Sequence, residues 1–86
     1  MTLLPQPTRR TLFLYTKPDC PLCDHALEEI ELAQKQAAFQ LVEINILSDL
    51  ELYERYKHAI PVGVLEGMEI FRYRTRASEL IEWLRP

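Results

Sequence analysis

"YTKPDCPLCDHALEEI", Tyr15 to Ile30, holds both cysteines of the chain, three positions apart, with a proline inside the pair. Behind them Cys23, Ala26, Leu27, Ile30, Ala33 and Ala37 recur at helical spacing. Glu28, Glu29, Glu31, Gln34, Lys35 and Gln36 fill the other side. That pattern is an amphipathic helix opening at Pro21. Proline suits the first helical position, because its φ is already helical and its missing N–H would have had no partner there. Cys20 therefore falls at or just before the first turn. Cys23 lies one turn in, on the same side, close enough to bond to it. The pair reads as redox chemistry, as half a metal site, or as two small apolar residues.

The location bears on the sulfur. The free N–H groups of Leu22 and Cys23 are expected to point at Cys20, and the helix dipole favours negative charge there. Lys17 adds a cation, while Asp19 and Asp24 oppose it. An exposed helix end contributes only about 0.3–1 kcal/mol. A tenfold gain in acidity takes ~1.36 kcal/mol. N–H···S bonds and Lys17 must supply the difference, so the Cys20 thiol is expected moderately below its ordinary range. Cys23, deeper in the helix, suits a resolving role: the Cys20 thiolate attacks a disulfide and Cys23 then releases the product. Zinc needs about four ligands. His25 and His58 are the only histidines that could complete a set with the cysteines, and His25 points to a different side of the helix from Cys23. Both histidines read better as solvated surface residues, and no metal is expected.

The remainder of the chain bounds the class. Eighty-six residues make one domain, with 48% hydrophobic and 27% charged residues, ordinary for a soluble globular chain. A net charge of −3 argues against a nucleic-acid binder, which usually carries a basic excess. "MTLLPQPTRR", residues 1–10, reads as a loose arm in which Leu3 and Leu4 are candidates to tuck against the body. It lacks the apolar core of an export signal, and no run approaches the length of a membrane span. The expected setting is the cytoplasm, as a monomer away from membranes. In that reducing compartment a close cysteine pair is more often catalytic or metal-binding than a structural staple.

"TLFLY" (Thr11–Tyr15) is an apolar run without alternation, expected to be a strand buried on both faces. "FQLVEINI" (Phe39–Ile46) is a second strand. Ser48 with Glu51 three residues on predicts a capped helix over 49–57, with Leu52, Tyr53 and Tyr56 turned inward. Val62–Leu65, the turn Glu66-Gly67, and Met68–Arg72 read as a hairpin. Ala77, Leu80, Ile81 and Leu84 then mark a last helix. The first two strands, joined by a long helix, should run parallel, giving one mixed sheet with helices over its faces. Arg72, Arg74 and Arg76 alternate and in an extended chain would share a face, either as an anion contact or, more plainly, as a solvated edge. Trp83 reads as packing. Glu43 reads as a wet position rather than a buried acid.

These segments resemble the glutaredoxin branch of the thioredoxin superfamily, in particular small bacterial glutaredoxin-like proteins. "LYTKPDCPLC" is similar to the glutaredoxin strand and dithiol loop, "YKHAIPVGVLEG" to the segment carrying the superfamily's cis-proline, and "ASELIEWL" to the closing helix. The resemblance implies an α/β thioredoxin fold over residues 11–86, βαβαββα, with a four-stranded mixed sheet flanked by three helices. It implies a thiol–disulfide oxidoreductase with Cys20 as nucleophile, Cys23 resolving and Pro61 cis, facing Cys20. The backbone of Ile60 would pair with an extended substrate, and Tyr15 resembles the tyrosine near the glutaredoxin active site. Substrates would be protein or small disulfides. Glutathione is a candidate co-substrate, held by Lys17, the Ile60 backbone and a helix start near Thr75–Ser78; no tightly bound cofactor is expected. The glycine pair usual after the last strand is missing from "FRYRTRASEL", which puts the glutathione site in doubt. Pro21 disfavours a shared iron–sulfur cluster. Two alternatives stay open: a thioredoxin-type protein recharged by a flavoprotein reductase, and a non-catalytic metal-binding or adaptor module on the same fold.

Overall fold

The computed structural model describes residues 10–85. Leu3 and Leu4, and the arm apart from Arg10, lie outside the described residues. The elements follow the order β1 (Thr11–Thr16), α1 (Pro21–Gln34), β2 (Gln40–Asn45), α2 (Leu50–Tyr56), β3 (Val62–Leu65), β4 (Met68–Arg72) and α3 (Ala77–Leu84), with a 3-10 turn at Ile46–Ser48. The sheet order is β2-β1-β3-β4. β1 pairs with β2 in parallel and with β3 antiparallel, and β3–β4 is the hairpin. This is the α/β mixed sheet with three helices that the sequence predicts. Among the described residues no helix is long and apolar enough to cross a membrane.

Strand alternation sends Leu12 and Leu14 to one face, where they pack with Ala26, Ile30 and Ala33 of α1, Leu65 of β3, and Leu80 and Leu84 of α3. The other face is thinner. α2 has only seven residues, and there Phe13 and Tyr15 stay half-buried. The expectation that β1 is buried on both faces is thus met on one face only. An apolar run without alternation does not reveal that the second cover is short. β2 is an edge strand, and Glu43 is exposed.

Two local expectations shift. The cap of α2 is Asp49, whose Oδ1 accepts from the amides of Glu51 and Leu52. Ser48 belongs instead to the 3-10 turn, where its hydroxyl donates to the Asn45 carbonyl at 2.7 Å. That turn moves the helix start by one residue. Leu52 and Tyr56 turn inward as predicted, but Tyr53 is exposed.

The hairpin has the predicted bounds. Glu66 and Gly67 both take positive φ, 52° and 80°, the conformation of a two-residue type I′ turn. Glu66 then serves a tertiary role: its carboxylate accepts two bonds from the Arg10 guanidinium, at 2.9 and 3.1 Å. Arg10 Nη1 also donates to the Trp83 carbonyl at 3.0 Å. Arg10 is therefore the anchored last residue of the arm and joins both ends of the described chain to the hairpin tip.

Gly63 pairs with Leu14 on one side and Phe71 on the other, and a Cβ there would overlap the Phe71 ring. Gly63→Ala should therefore push the ring out of its place over the sheet, costing about 1–3 kcal/mol. For a domain of this size that lowers the Tm by roughly 4–8 °C per kcal/mol. A thermal scan checks it; an unchanged Tm would mean that Phe71 swings aside freely.

Candidate active site

The site is built where β1 ends and α1 begins. Asp19 takes φ 57°, a left-handed conformation that Asp tolerates better than most residues. It turns the chain so that Cys20 enters extended as the N-cap of α1, with Pro21 at the first helical position. The Cys20 sulfur accepts the Cys23 amide at 3.2 Å. Leu22, expected to join it, donates no such bond. Cys20 and Cys23 are joined as a disulfide with Cα atoms 5.2 Å apart. Cys23 is buried, 3% exposed, and Cys20 is half-buried. The sulfur that opens the helix is thus the accessible one.

Residues from four segments close over this pair. Cys23, Ile46 and Ile60 form a buried cluster, against which Tyr15, Cys20, Leu52 and Tyr56 pack. Tyr15 stacks on Tyr56 with centroids 4.5 Å apart, so α2 holds the tyrosine of β1 beside the dithiol. The Ile60–Pro61 bond is cis, and Pro61 is fully buried. The Ile60 amide donates inward to the Tyr56 carbonyl at 3.2 Å. Lys17 is exposed and makes no hydrogen bond or ion pair among the described residues. The structure thus gathers Cys20, Cys23, Tyr15 and Ile60 in one cluster, with Pro61 adjoining, and leaves Lys17 in solvent.

Three residues important to the architecture of this site were not singled out for it from the sequence. Tyr73 takes φ 66°, donates its amide to the Pro61 carbonyl at 2.8 Å and its hydroxyl to the His58 carbonyl at 2.9 Å. It ties the chain after β4 to the proline segment. It also ends the extended run, so Arg72, Arg74 and Arg76 do not share a strand face. Arg72 lies against Glu69, and this hydrogen-bonded carboxylate raises the guanidinium pKa above its ordinary value. Tyr56 was expected to be core alone. Glu29 accepts the Ala77 amide at 2.9 Å, capping α3 from α1 because the N-cap residue Arg76 offers no side-chain cap. No short-range signal marks such a cap, since its partners stand 48 residues apart.

Of the histidines, His25 is exposed, 3.5 Å from Glu28, and His58 is exposed. Among the described residues no group of three His, Cys, Asp or Glu side chains is gathered for a metal. Trp83, expected as packing, is 45% exposed, because Leu80 and Leu84 occupy the single buried face of α3.

Residues 11–85 match the family described as glutaredoxin-like domain (DUF836). The chain belongs to this glutaredoxin-like family. It is 24% identical over 72 residues to a Dictyostelium discoideum protein named glutaredoxin-like protein YDR286C homolog, covering 77% of this chain and 67% of that one. The solution structure of protein Ne2328 from Nitrosomonas europaea superposes with a TM-score of 0.80 at 26% identity, over 96% of this chain and all of that one. The crystal structure of XcR50 from X. campestris does so at 0.72 and 32% identity, covering 87% and 99%. A glutaredoxin-like fold with its cysteine pair at disulfide distance fits a redox role.

Proposed function

We propose that this protein is a thiol–disulfide oxidoreductase of the cytoplasm. The Cys20 thiolate attacks one sulfur of a substrate disulfide, forming a mixed disulfide and expelling one substrate thiolate, which takes up a proton. The Cys23 thiolate then attacks the Cys20 sulfur and expels the second. The substrate gains two electrons as two thiols, and the protein is left as the Cys20–Cys23 disulfide. One observation carries this reading: the accessible Cys20 sulfur sits at a helix N-cap under the Cys23 amide and is bonded to the buried Cys23. The amide and the helix start favour its anionic form. A zinc-holding module, the rival from another class, would need ligands beyond the pair.

Two routes could recharge the pair. Glutathione would use Lys17 and the backbone of Ile60. The Glu29 bond to Ala77 occupies one of the α3 amides on which a glutathione carboxylate would draw; a flavoprotein reductase is the other route. Coupled assays with each reductant, run on the same preparation, separate the two.

The rate of alkylation of reduced protein against pH tests the chemistry. Cys20 should react with a midpoint below that of an ordinary cysteine. Lys17→Ala should raise the midpoint by less than about one pH unit, because an exposed cation contributes at most ~1 kcal/mol. If Cys20 titrates as a free cysteine does, the nucleophile assignment fails.

A further inference from the structure

The stretch from His58 to Pro61 leads from the end of α2 into β3 and lies against the dithiol, since Ile60 is buried in the cluster that holds Cys23. At its α2 end, the Tyr56 carbonyl accepts the amides of Ala59 and Ile60 at 2.8 and 3.2 Å. At its β3 end the sheet pairing runs out. Val62, opposite Arg72, is the first β3 residue in register with β4. The Tyr73 amide adds one more bond, to the Pro61 carbonyl at 2.8 Å, but Pro61 has no N–H to return. The ladder therefore goes no further along this stretch.

Tyr73 spans the remaining length with its side chain. Its hydroxyl donates to the His58 carbonyl at 2.9 Å, so one residue takes the carbonyls at both ends of the His58–Pro61 stretch. It does so from φ 66°, a left-handed conformation poorly suited to a bulky side chain. Glycine would adopt it freely but has no hydroxyl to offer. Unfavourable backbone of this kind persists where the surrounding contacts impose it, and it gathers at functional sites. Tyr73 is 46% exposed, so core packing does not explain a tyrosine at this position.

We propose that Tyr73 is a positioning residue: it holds the His58–Pro61 stretch against the cysteine pair, so that a polypeptide disulfide can lie along that stretch while Cys20 attacks it. This role rests on the dithiol reading for its chemistry and divides the substrates into two classes. Polypeptide disulfides use the stretch and depend on Tyr73. Small disulfides need only the Cys20 sulfur and do not.

Tyr73→Phe removes one oxygen and leaves the ring and the amide bond. The two substrates to compare are a short peptide with a central cysteine, carried as its mixed disulfide with 2-mercaptoethanol, and 2-hydroxyethyl disulfide. In Tyr73→Phe, kcat/KM for the peptide should fall about fivefold, the worth of one hydrogen bond, mostly through KM. The value for the small disulfide should not change. Tyr73→Gly takes the positive φ without cost and lacks the hydroxyl, so it should reproduce the selective loss. Equal falls for both substrates in Tyr73→Phe would mean a general loss of structure and overturn the positioning role. So would unchanged rates on both, or a full peptide rate in Tyr73→Gly. If wild-type protein reduces neither substrate, the dithiol reading fails and hydrogen exchange decides the positioning separately. The amides of Ala59 and Ile60 should exchange several-fold faster in Tyr73→Phe than in wild type, with those of β1 unchanged. Exchange that is unaltered at these two amides, or raised throughout the chain, overturns the role.

Discussion

Cys20→Ser protein is expected to lose disulfide reduction by roughly a thousandfold or more, as removal of a nucleophile does. Cys23→Ser should instead stop half-way and accumulate a covalent mixed disulfide with its substrate. The asymmetry follows from where the two sulfurs sit. Cys20 is the partly exposed N-cap, and Cys23 is buried one turn in, against Ile46 and Ile60. In the proposed mechanism a substrate sulfur reaches the first, and the second attacks the mixed disulfide from within. Mass spectrometry of the two variants after incubation with a peptide disulfide reads the result directly. A stable adduct on Cys23 in the Cys20→Ser protein, with none on Cys20 in the Cys23→Ser protein, would reverse the roles assigned here.

Leu14→Ala should be among the costliest substitutions for the fold. Leu14 is 1% exposed and lies on the central strand, under α1 and α3 and beside Gly63. Gly63 has no side chain to fill the space, and Phe71 is already placed over it. The cavity can therefore collapse little, and the loss should approach the upper part of the ~2–5 kcal/mol range for such truncations. At roughly 4–8 °C per kcal/mol, the Tm should fall by well over 10 °C. Far-ultraviolet circular dichroism against temperature measures it. A drop no larger than that of Gly63→Ala would mean that the core repacks more easily than this geometry allows.

Much of the molecule was legible in the residues because short-range physics decides it. Helical spacing behind Pro21, the Glu66-Gly67 turn between two apolar runs, and the Leu80/Leu84 spacing each depend on neighbours within a turn or two. The N-cap position of Cys20 follows from the same local rules. The misreadings share one origin. Ser48 and Asp49 are both good caps, and the choice between them was made by a 3-10 turn that Asn45 stabilises. Trp83 looked like packing because size suggests burial, yet α3 offers one buried face and other residues fill it. The arginine ladder dissolved because Tyr73 adopts positive φ, which its side chain gives no reason to expect.

The amino-acid order alone determined the two cysteines, their spacing around Pro21, and hence a bondable sulfur pair at a helix start; that much is settled by three consecutive peptide units and the missing proline N–H. Only the folded arrangement decided what surrounds the pair. The stacking of Tyr15 on Tyr56 and the Glu29 cap on α3 both join segments far apart in the chain. Such contacts carry no local signature, because each arises from the way the sheet places the ends of separate helices side by side.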